Sequence, residues 1–155
     1  MNIGEAQAEC AKKGVFYDWE TACKTSPPGW HLPSDGEWKA LEHELGLPED
    51  ELDLVGLDRE NNAGAAIKKQ GCWPLEYNGK PIVFSNDTGF SAVPTGFFAR
   101  GEFTHSGYTG WWTGTPDGEK AWVRALSFHN NMITRAANDK EFYFPVRCVR
   151  DEDLD

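Results

Sequence analysis

Residues 29–38 read Gly-Trp-His-Leu-Pro-Ser-Asp-Gly-Glu-Trp, and they decide how the chain begins to fold. A Ser followed three residues later by a Glu forms a capping box. In such a box Ser34 accepts from the Glu37 N–H, and the Glu37 carboxylate accepts from the Ser34 N–H. Apolar side chains then recur on one helical face, at Trp38, Leu41 and Leu45, and Gly46 can close the helix in a left-handed conformation. The sequence therefore predicts a helix from Ser34 to Leu45.

The remaining local patterns divide the chain into a helical half and a β half. They predict a short helix over residues 3–10, an extended segment at 15–19, a short helix at 48–52, and a helix at 62–71 that Asn62 caps. From Val83 onward Gly and Pro are frequent and apolar residues alternate in short runs, which is typical of strands. The strand candidates are residues 90–99, 111–113, 121–128, 132–136 and 143–149. We therefore predict an α+β fold, with short N-terminal helices followed by a Gly- and aromatic-rich antiparallel β half.

Length and composition fit one domain over residues 1–155. A chain of 155 residues buries about 70% of the surface that its unfolded form exposes, which is enough for a core. Seven Trp, nine Phe and sixteen Gly, with only two Met, are typical of a loop-rich fold that aromatic side chains hold together.

The formal net charge of −10 argues against nucleic acid as a partner, because this charge repels a phosphate backbone and no basic stripe offsets it. An anionic membrane surface is disfavoured for the same reason. No apolar run approaches the roughly 20 residues of a membrane helix, so we expect no membrane insertion by this domain. The N-terminal residues lack the basic and apolar regions of a signal peptide, which leaves an intracellular protein or a trimmed chain as alternatives.

Four sequence blocks, in a fixed order, carry a family resemblance. They are residues 29–38, residues 87–94 (DTGFSAVP), residues 110–113 (GWWT) with Ala121-Trp122, and residues 144–151 (FPVRCVRD). With these blocks the chain resembles the Fibrobacter succinogenes major paralogous domain over residues 17–151. Members of that family are mostly exported bacterial surface proteins or lipoproteins. The resemblance implies an extracellular or cell-surface location in a larger surface protein, with the signal or anchor outside this chain.

The N-terminal blocks are also similar, more distantly, to formylglycine-generating enzymes and C-type lectin-like domains. The matching residues are Trp19, Ala22, Cys23, Leu32, Pro33, Ser34, Glu37 and Trp38. This resemblance implies a C-type lectin-like fold. It does not imply sugar binding, because one fold hosts many functions.

The cysteines, at positions 10, 23, 72 and 148, have neither zinc-ribbon spacing nor a Cys-x-x-Cys redox motif, so we expect no metal site built from them. In an exported domain an even count fits two disulfides. The lectin-like resemblance implies that Cys23 pairs with Cys148, which leaves Cys10 with Cys72. The chain departs here from the pattern of the family that it resembles, since that family usually has a cysteine just before the Pro-x-Gly-Trp-His block, where this sequence has Ser26.

The sequence offers no catalytic motif of the Gly-x-Ser-x-Gly or His-Glu-x-x-His type, and we predict that the protein is not an enzyme. His31, beside the helix cap, is predicted to be a hydrogen-bonded structural imidazole, and His43 to be solvated. Ligand contact remains open for His105 and His129, which fall in the β half among Thr, Ser and Asn.

Calcium is a candidate ligand, because lectin-like folds often bind this ion through clustered acids and amides. The candidates are Glu49, Asp50, Glu51, Asp53, Asp58, Glu60 and Asn61, and they lack the spacing of an EF-hand loop. We therefore predict a solvated acidic segment and no cofactor, and we retain calcium as the alternative.

The segment over residues 111–143 is the best candidate for function. In a strand over residues 121–128, Trp122, Arg124, Leu126 and Phe128 share one face, which is either core or a binding surface. Aromatic side chains in a family motif are usually core, whereas Arg and Asn carry the donors and acceptors that hydroxyl-rich or peptide ligands require. The predicted ligand-binding residues are Trp112, Trp122, Arg124, Phe128, His129, Asn130, Asn131, Thr134, Arg135 and Asn138.

The leading hypothesis is a non-catalytic binding module of a bacterial surface protein, which presents its C-terminal β half to a glycan or protein. The aromatic and Asn-rich stretch before a terminal Val-Arg block also resembles the variable proteins of diversity-generating retroelements, so a changeable ligand surface is one alternative. A second alternative is a thiol- and metal-dependent oxygenase related to formylglycine-generating enzymes. The third is a structural spacer domain.

Overall fold

The computed structural model describes residues 15–103 and 107–152. Two α-helices lie near the start of this part, α1 (Trp19–Ala22) and α2 (Asp35–Glu44). Three short 3-10 turns follow, at Glu49–Glu51, Gly56–Asp58 and Ala63–Ala66. Within these residues no helix has both the length and the apolar character needed to cross a membrane.

The strands of the described residues form four antiparallel sheets. In chain order they are β1 (Trp30–His31), β2 (Glu76–Tyr77), β3 (Lys80–Pro81), β4 (Phe98–Ala99), β5 (Glu102–Phe103), β6 (Tyr108–Asp117), β7 (Lys120–Ser127), β8 (Thr134–Asp139) and β9 (Val149–Arg150). The central sheet has the order β6-β7-β8, and β1 pairs with β9, β2 with β3, and β4 with β5. The α+β class is therefore confirmed, and the central strands match the predictions at 111–113, 121–128 and 132–136.

Helix α2 begins and ends where the sequence predicts. Ser34 Oγ accepts from the Glu37 N–H at 3.0 Å, and Glu37 Oε1 accepts from the Ser34 N–H at 3.1 Å, which completes the capping box. Gly46 has a φ of 110°, so the chain leaves the helix through a conformation that favours glycine.

Several predicted elements take a different form. The segments at 48–52 and 62–71 each form only a short 3-10 turn, and Asn62 makes no side-chain cap. Residues 90–97 are irregular, because Pro94 has no N–H to donate and Ser91 has a φ of 59°. The predicted strand at 143–149 is reduced to isolated bridges and the start of β9. The predicted helix over residues 3–10 lies outside the described residues.

Two hydrophobic clusters pack against opposite faces of the central sheet. Neighbouring residues of a strand point to opposite faces, so Trp111 enters one cluster and Trp112 the other. Trp111 stacks on Trp38 of α2 with ring centroids 5.7 Å apart, and Trp112 meets Phe144 edge-on at 4.9 Å. Both β6 tryptophans are buried, which agrees with the core role expected for aromatics of a family motif.

The predicted disulfide between Cys23 and Cys148 is wrong, because both are free cysteines. Cys23 is exposed at the end of α1, and the Cys148 thiol lies 3.4 Å from Ser26 Oγ instead. Cys72 is disulfide-bonded. Its predicted partner, Cys10, lies outside the described residues, so that pairing stays a prediction.

Candidate functional site

The predicted ligand-binding residues separate into an interior group and a surface group. Trp112, Arg124 and Arg135 form the interior group, with exposed fractions of 0, 0 and 6%. Asn131 belongs to the surface group, although it is only 5% exposed. The Trp112 indole is enclosed in the core, where its Nε1 donates to the Tyr17 carbonyl at 2.8 Å. We therefore assign Trp112 to the framework and correct the expectation that it contacts a ligand.

Arg124 and Arg135 belong to a buried ion network, which also contains Asp35, Glu42 and Arg59. Arg124 donates to Asp35 at 2.7 Å and to Glu42 at 3.0 Å. Arg135 forms a bidentate pair with the two oxygens of Asp35, at 3.1 and 2.9 Å. The expectation that the two arginines face a ligand is wrong, because their guanidinium groups neutralise carboxylates of α2 inside the fold.

The network fixes the charge state of Asp35. Burial alone would raise the pKa of this carboxyl, but hydrogen bonds from Arg135 and Arg124 hold the pKa well below its usual range. Asp35, Trp38 and Glu42 follow one another at the i, i+3, i+7 spacing of a single helical face. Asp35 and Glu42 thus lie on the apolar face of α2. This pattern in the sequence was the signal that the interior contains cationic partners for them.

The other predicted residues of the central sheet, Trp122, Thr134 and Asn138, lie apart from the surface group. The Arg135 guanidinium lies 3.6 Å from the centre of the half-buried Trp122 ring, so this ring is covered by a residue of the network. Thr134 and Asn138 are half-buried at opposite ends of β8. These residues do not come together with the surface group.

The surface group lies at a pocket that we call the hairpin pocket. It opens between the β2–β3 hairpin and the loop after β7, and it has a volume of about 660 Å³. Its lining residues are Asn62, Tyr77, Asn78, Lys80, Pro81, Ile82, Val83, His129, Asn130 and Asn131. Three predicted residues, His129, Asn130 and Asn131, therefore meet in one cavity, and Phe128 stands directly behind His129 with ring centroids 4.0 Å apart.

The hairpin side of this pocket was missed by the sequence reasoning. Asn78 and Gly79 have φ values of 49° and 76°, the left-handed pair that a two-residue hairpin turn requires. An Asn-Gly dipeptide is the strongest short-range hairpin signal, so the element itself could have been found. The sequence could not show that this hairpin faces residues 129–131.

An aromatic wall closes one side of the pocket. Tyr77 meets the His129 ring edge-on at 4.7 Å and the Phe128 ring at 5.7 Å, and Tyr108 supports Phe128 at 5.5 Å. Tyr77 is 37% exposed, while Val83 on the rim is 77% exposed. The wall thus presents an aromatic ring to solvent and anchors it on half-buried neighbours.

The loop after β7 forms the other wall of the pocket, and hydrogen bonds from Lys68 and Gly64 hold its backbone in place. The buried Lys68 ammonium donates to the carbonyls of Ser127 and Asn130 at 2.9 and 2.7 Å. The Gly64 N–H donates to the Asn131 carbonyl at 2.7 Å. Burial lowers the pKa of Lys68 to about 8. Because its carbonyls are tied down, this loop forms a preorganised wall.

Asn131 forms part of the pocket floor. Its Nδ2 donates to the Val83 carbonyl at 2.8 Å, which ties the floor to the rim. Its Oδ1 is buried and has no hydrogen-bond partner within residues 15–103 and 107–152. A buried acceptor without a donor costs about 1–3 kcal/mol, so a donor that reached this atom would recover that free energy.

The acidic segment shows no grouped metal ligands. Within the described ranges, no set of three or more His, Cys, Asp or Glu side chains is placed to hold a metal ion. Asn61, one of the calcium candidates, instead accepts from the N–H groups of Ala63 and Ile133 and donates to the Ile133 carbonyl. Its amide therefore stabilises the loop before β8.

His31 is a hydrogen-bonded structural imidazole, as predicted. Its Nδ1 lies 2.6 Å from Asp151 and its Nε2 lies 2.8 Å from Glu37, so it links the α2 cap to the C-terminal segment. Hydrogen bonds to Asp151 and Glu37 raise the pKa of His31. His43 is exposed, in agreement with its prediction, and His105 lies outside the described residues.

The family model described as the Fibrobacter succinogenes major domain matches residues 2–150. The chain belongs to this family. No curated relative and no solved structure matches it.

The sequence blocks of the family build the framework rather than the pocket. Residues 29–38 form β1 and the α2 cap, residues 110–113 form the buried part of β6, and residues 144–151 contain β9. Residues 87–94 dock through Ala92, whose N–H and carbonyl both take part in backbone hydrogen bonds. The hairpin pocket is lined by residues outside all four blocks.

Proposed function

We propose that this chain is a non-catalytic binding module of a bacterial surface protein, with a C-type lectin-like fold, and that it holds a glycan in the hairpin pocket. The observation that carries the proposal is the pocket itself, which joins an exposed aromatic ring to several amide side chains on supported backbone. Stacking on Tyr77 would contribute apolar contact with a sugar ring. The amides of Asn62, Asn78 and Asn130 offer both donors and acceptors to hydroxyl groups.

The pocket wall formed by residues 130 and 131 is held in place before any ligand binds, which supports a binding role for the pocket. The carbonyls of Asn130 and Asn131 are held by Lys68 and Gly64, and the Asn130 side chain accepts from the Met132 N–H at 2.9 Å. A wall that is already ordered loses little conformational entropy when a ligand binds. This matters for glycans, whose exposed hydroxyl contacts are individually weak.

A glycan array followed by titration calorimetry tests the proposal. We expect Tyr77→Ala to lower the affinity for the best array ligand about 10-fold or more, as loss of a central aromatic contact does. Asn78→Gly removes one lining amide, keeps the turn conformation, and should also weaken binding. Tyr143→Ala is the matched control, because Tyr143 is 46% exposed and does not line this pocket. Unchanged affinity in both pocket variants, with the fold intact, would exclude this site.

The alternatives remain separate hypotheses with their own readouts. Binding to proteins alone, with no glycan response, would favour a protein-binding or retroelement-diversified module. Metal-dependent oxygen consumption with a thiol substrate would favour the formylglycine-generating class. No ligand response of any kind would leave a structural spacer.

A further inference from the structure

The charge of the hairpin pocket differs from that of the whole chain. Asp and Glu account for 25 of the 155 residues and outnumber the 15 Lys and Arg, yet no pocket-lining residue is acidic. Lys80 is the permanently charged member of the lining set, and it is exposed. It forms no ion pair with any described residue. Lys80 therefore gives the pocket a positive charge that no acidic lining residue offsets.

A second ammonium group strengthens the field below the pocket. Lys68 is fully buried and has no ion-pair partner in the described part of the chain. Its Nζ is one hydrogen bond, of 2.7 Å, from the carbonyl of the lining residue Asn130. A buried charge is screened less by salt than an exposed one. Both lysines thus favour an anion in a pocket of a protein whose net charge is −10.

The polar groups around the two lysines indicate what kind of anion fits. A free phosphate or a nucleotide is usually held by several cations or a cluster of backbone N–H groups. Here a single exposed ammonium group is surrounded by amides and an exposed phenol ring, supplied by Asn62, Asn78, Asn130 and Tyr77. One charge among several neutral donors and acceptors matches a ring that carries one anionic group and several hydroxyls.

We infer that the ligand of the hairpin pocket is an anionic saccharide, whose carboxylate or sulfate group pairs with Lys80. This inference rests on the proposed glycan-binding function and narrows it to one chemical class. Tyr77 and the amides contact the ring and its hydroxyls, and Lys80 selects for charge. An uncharged sugar of the same shape then binds more weakly.

Two pairs of probes that differ only in charge test the inference. The first pair is trigalacturonate and its fully methyl-esterified form. The second is a sulfated carrageenan tetrasaccharide and its desulfated form. We expect one of the two anions to bind about 5-fold or more tightly than its uncharged counterpart at low ionic strength. The responding pair distinguishes a carboxylate from a sulfate, and added salt should reduce the difference.

Variants of exposed lysines assign the effect to one residue. Lys80→Gln should abolish the preference for the charged form, while Lys80→Arg should retain the preference. Lys69→Gln is the matched control, since Lys69 is exposed and does not line the pocket. All three changes keep the backbone pairing, so folding is not at risk.

The outcomes distinguish failure of the anionic-saccharide inference from failure of the proposed glycan-binding function. Equal binding of charged and uncharged saccharides, or a charge preference that survives Lys80→Gln, overturns the anionic class and leaves glycan binding in place. No binding of any of these saccharides, together with no response on the glycan array, overturns both.

Discussion

Glu42→Gln removes one of the two carboxylates of the buried ion network, and we expect it to lower the free energy of unfolding by about 3–5 kcal/mol. Glu42 is fully buried and accepts hydrogen bonds from Arg59, including one from Nη2 at 2.6 Å, and from Arg124 Nε at 3.0 Å. Loss of one partner leaves three guanidinium groups against the single carboxylate of Asp35. Breaking a buried pair in this way typically costs about 3–5 kcal/mol, because the remaining charge stays desolvated.

Urea unfolding followed by tryptophan fluorescence measures this effect. With a slope of about 2 kcal/mol per molar urea, the expected loss lowers the midpoint by about 2 M, a large share of a typical stability of about 5–15 kcal/mol. Glu44→Gln is the matched control, because Glu44 lies on the same helix but is exposed. It should change stability by less than about 0.5 kcal/mol. Equal midpoints for the two variants would refute the role assigned to the network.

Three further predictions concern single positions. Ser26→Cys should form a disulfide with Cys148, detected by intact mass without reduction, and should stabilise the fold by about 2–4 kcal/mol, because it closes a loop between positions 122 residues apart. Gly64→Ala should destabilise by about 1–3 kcal/mol in thermal unfolding, since the added Cβ would lie 2.6 Å from the Asn131 carbonyl oxygen. The NMR titration of His31 should give a pKa above 6.5, and replacing its carboxylate partners should lower it. Its contribution to stability is present below pH 6.5 and is lost as pH rises through the raised pKa.

The parts of the fold that sequence reasoning predicts well depend on short-range chemistry. The α2 cap is closed by two residues three positions apart, so Ser34 and Glu37 contain all the information it needs. The alternation in β6 is equally local, and it sends Trp111 and Trp112 to opposite faces. The helix predicted over residues 62–71 is wrong, because the packing of this segment depends on residues far away in sequence. The Gly64 backbone lies against the Asn131 carbonyl, and the chain there forms only a short 3-10 turn.

The contacts that build the candidate site also join residues far apart in sequence, so the sequence predicts them poorly. Arg124 and Arg135 have side chains suited to ligand binding, and nothing beside them in sequence shows that they are already paired. Their partner Asp35 is 89 and 100 residues away. Asn131 is joined to the pocket rim by a hydrogen bond to Val83, 48 residues away. Side-chain chemistry alone therefore selected the loop that lines the hairpin pocket together with two residues that are paired in the interior.

Framework and pocket use separate sets of residues, and this separation has an energetic consequence. The family blocks supply the cap, the buried tryptophans and the terminal strand pairing, where substitutions remove core contacts or buried partners. Tyr77, Asn78 and Lys80 lie on an exposed hairpin, so their substitution leaves the central sheet and the ion network untouched. A loss of binding in these variants can therefore be attributed to the pocket rather than to unfolding. The fold can in this way keep its stability while the chemistry of the hairpin pocket changes.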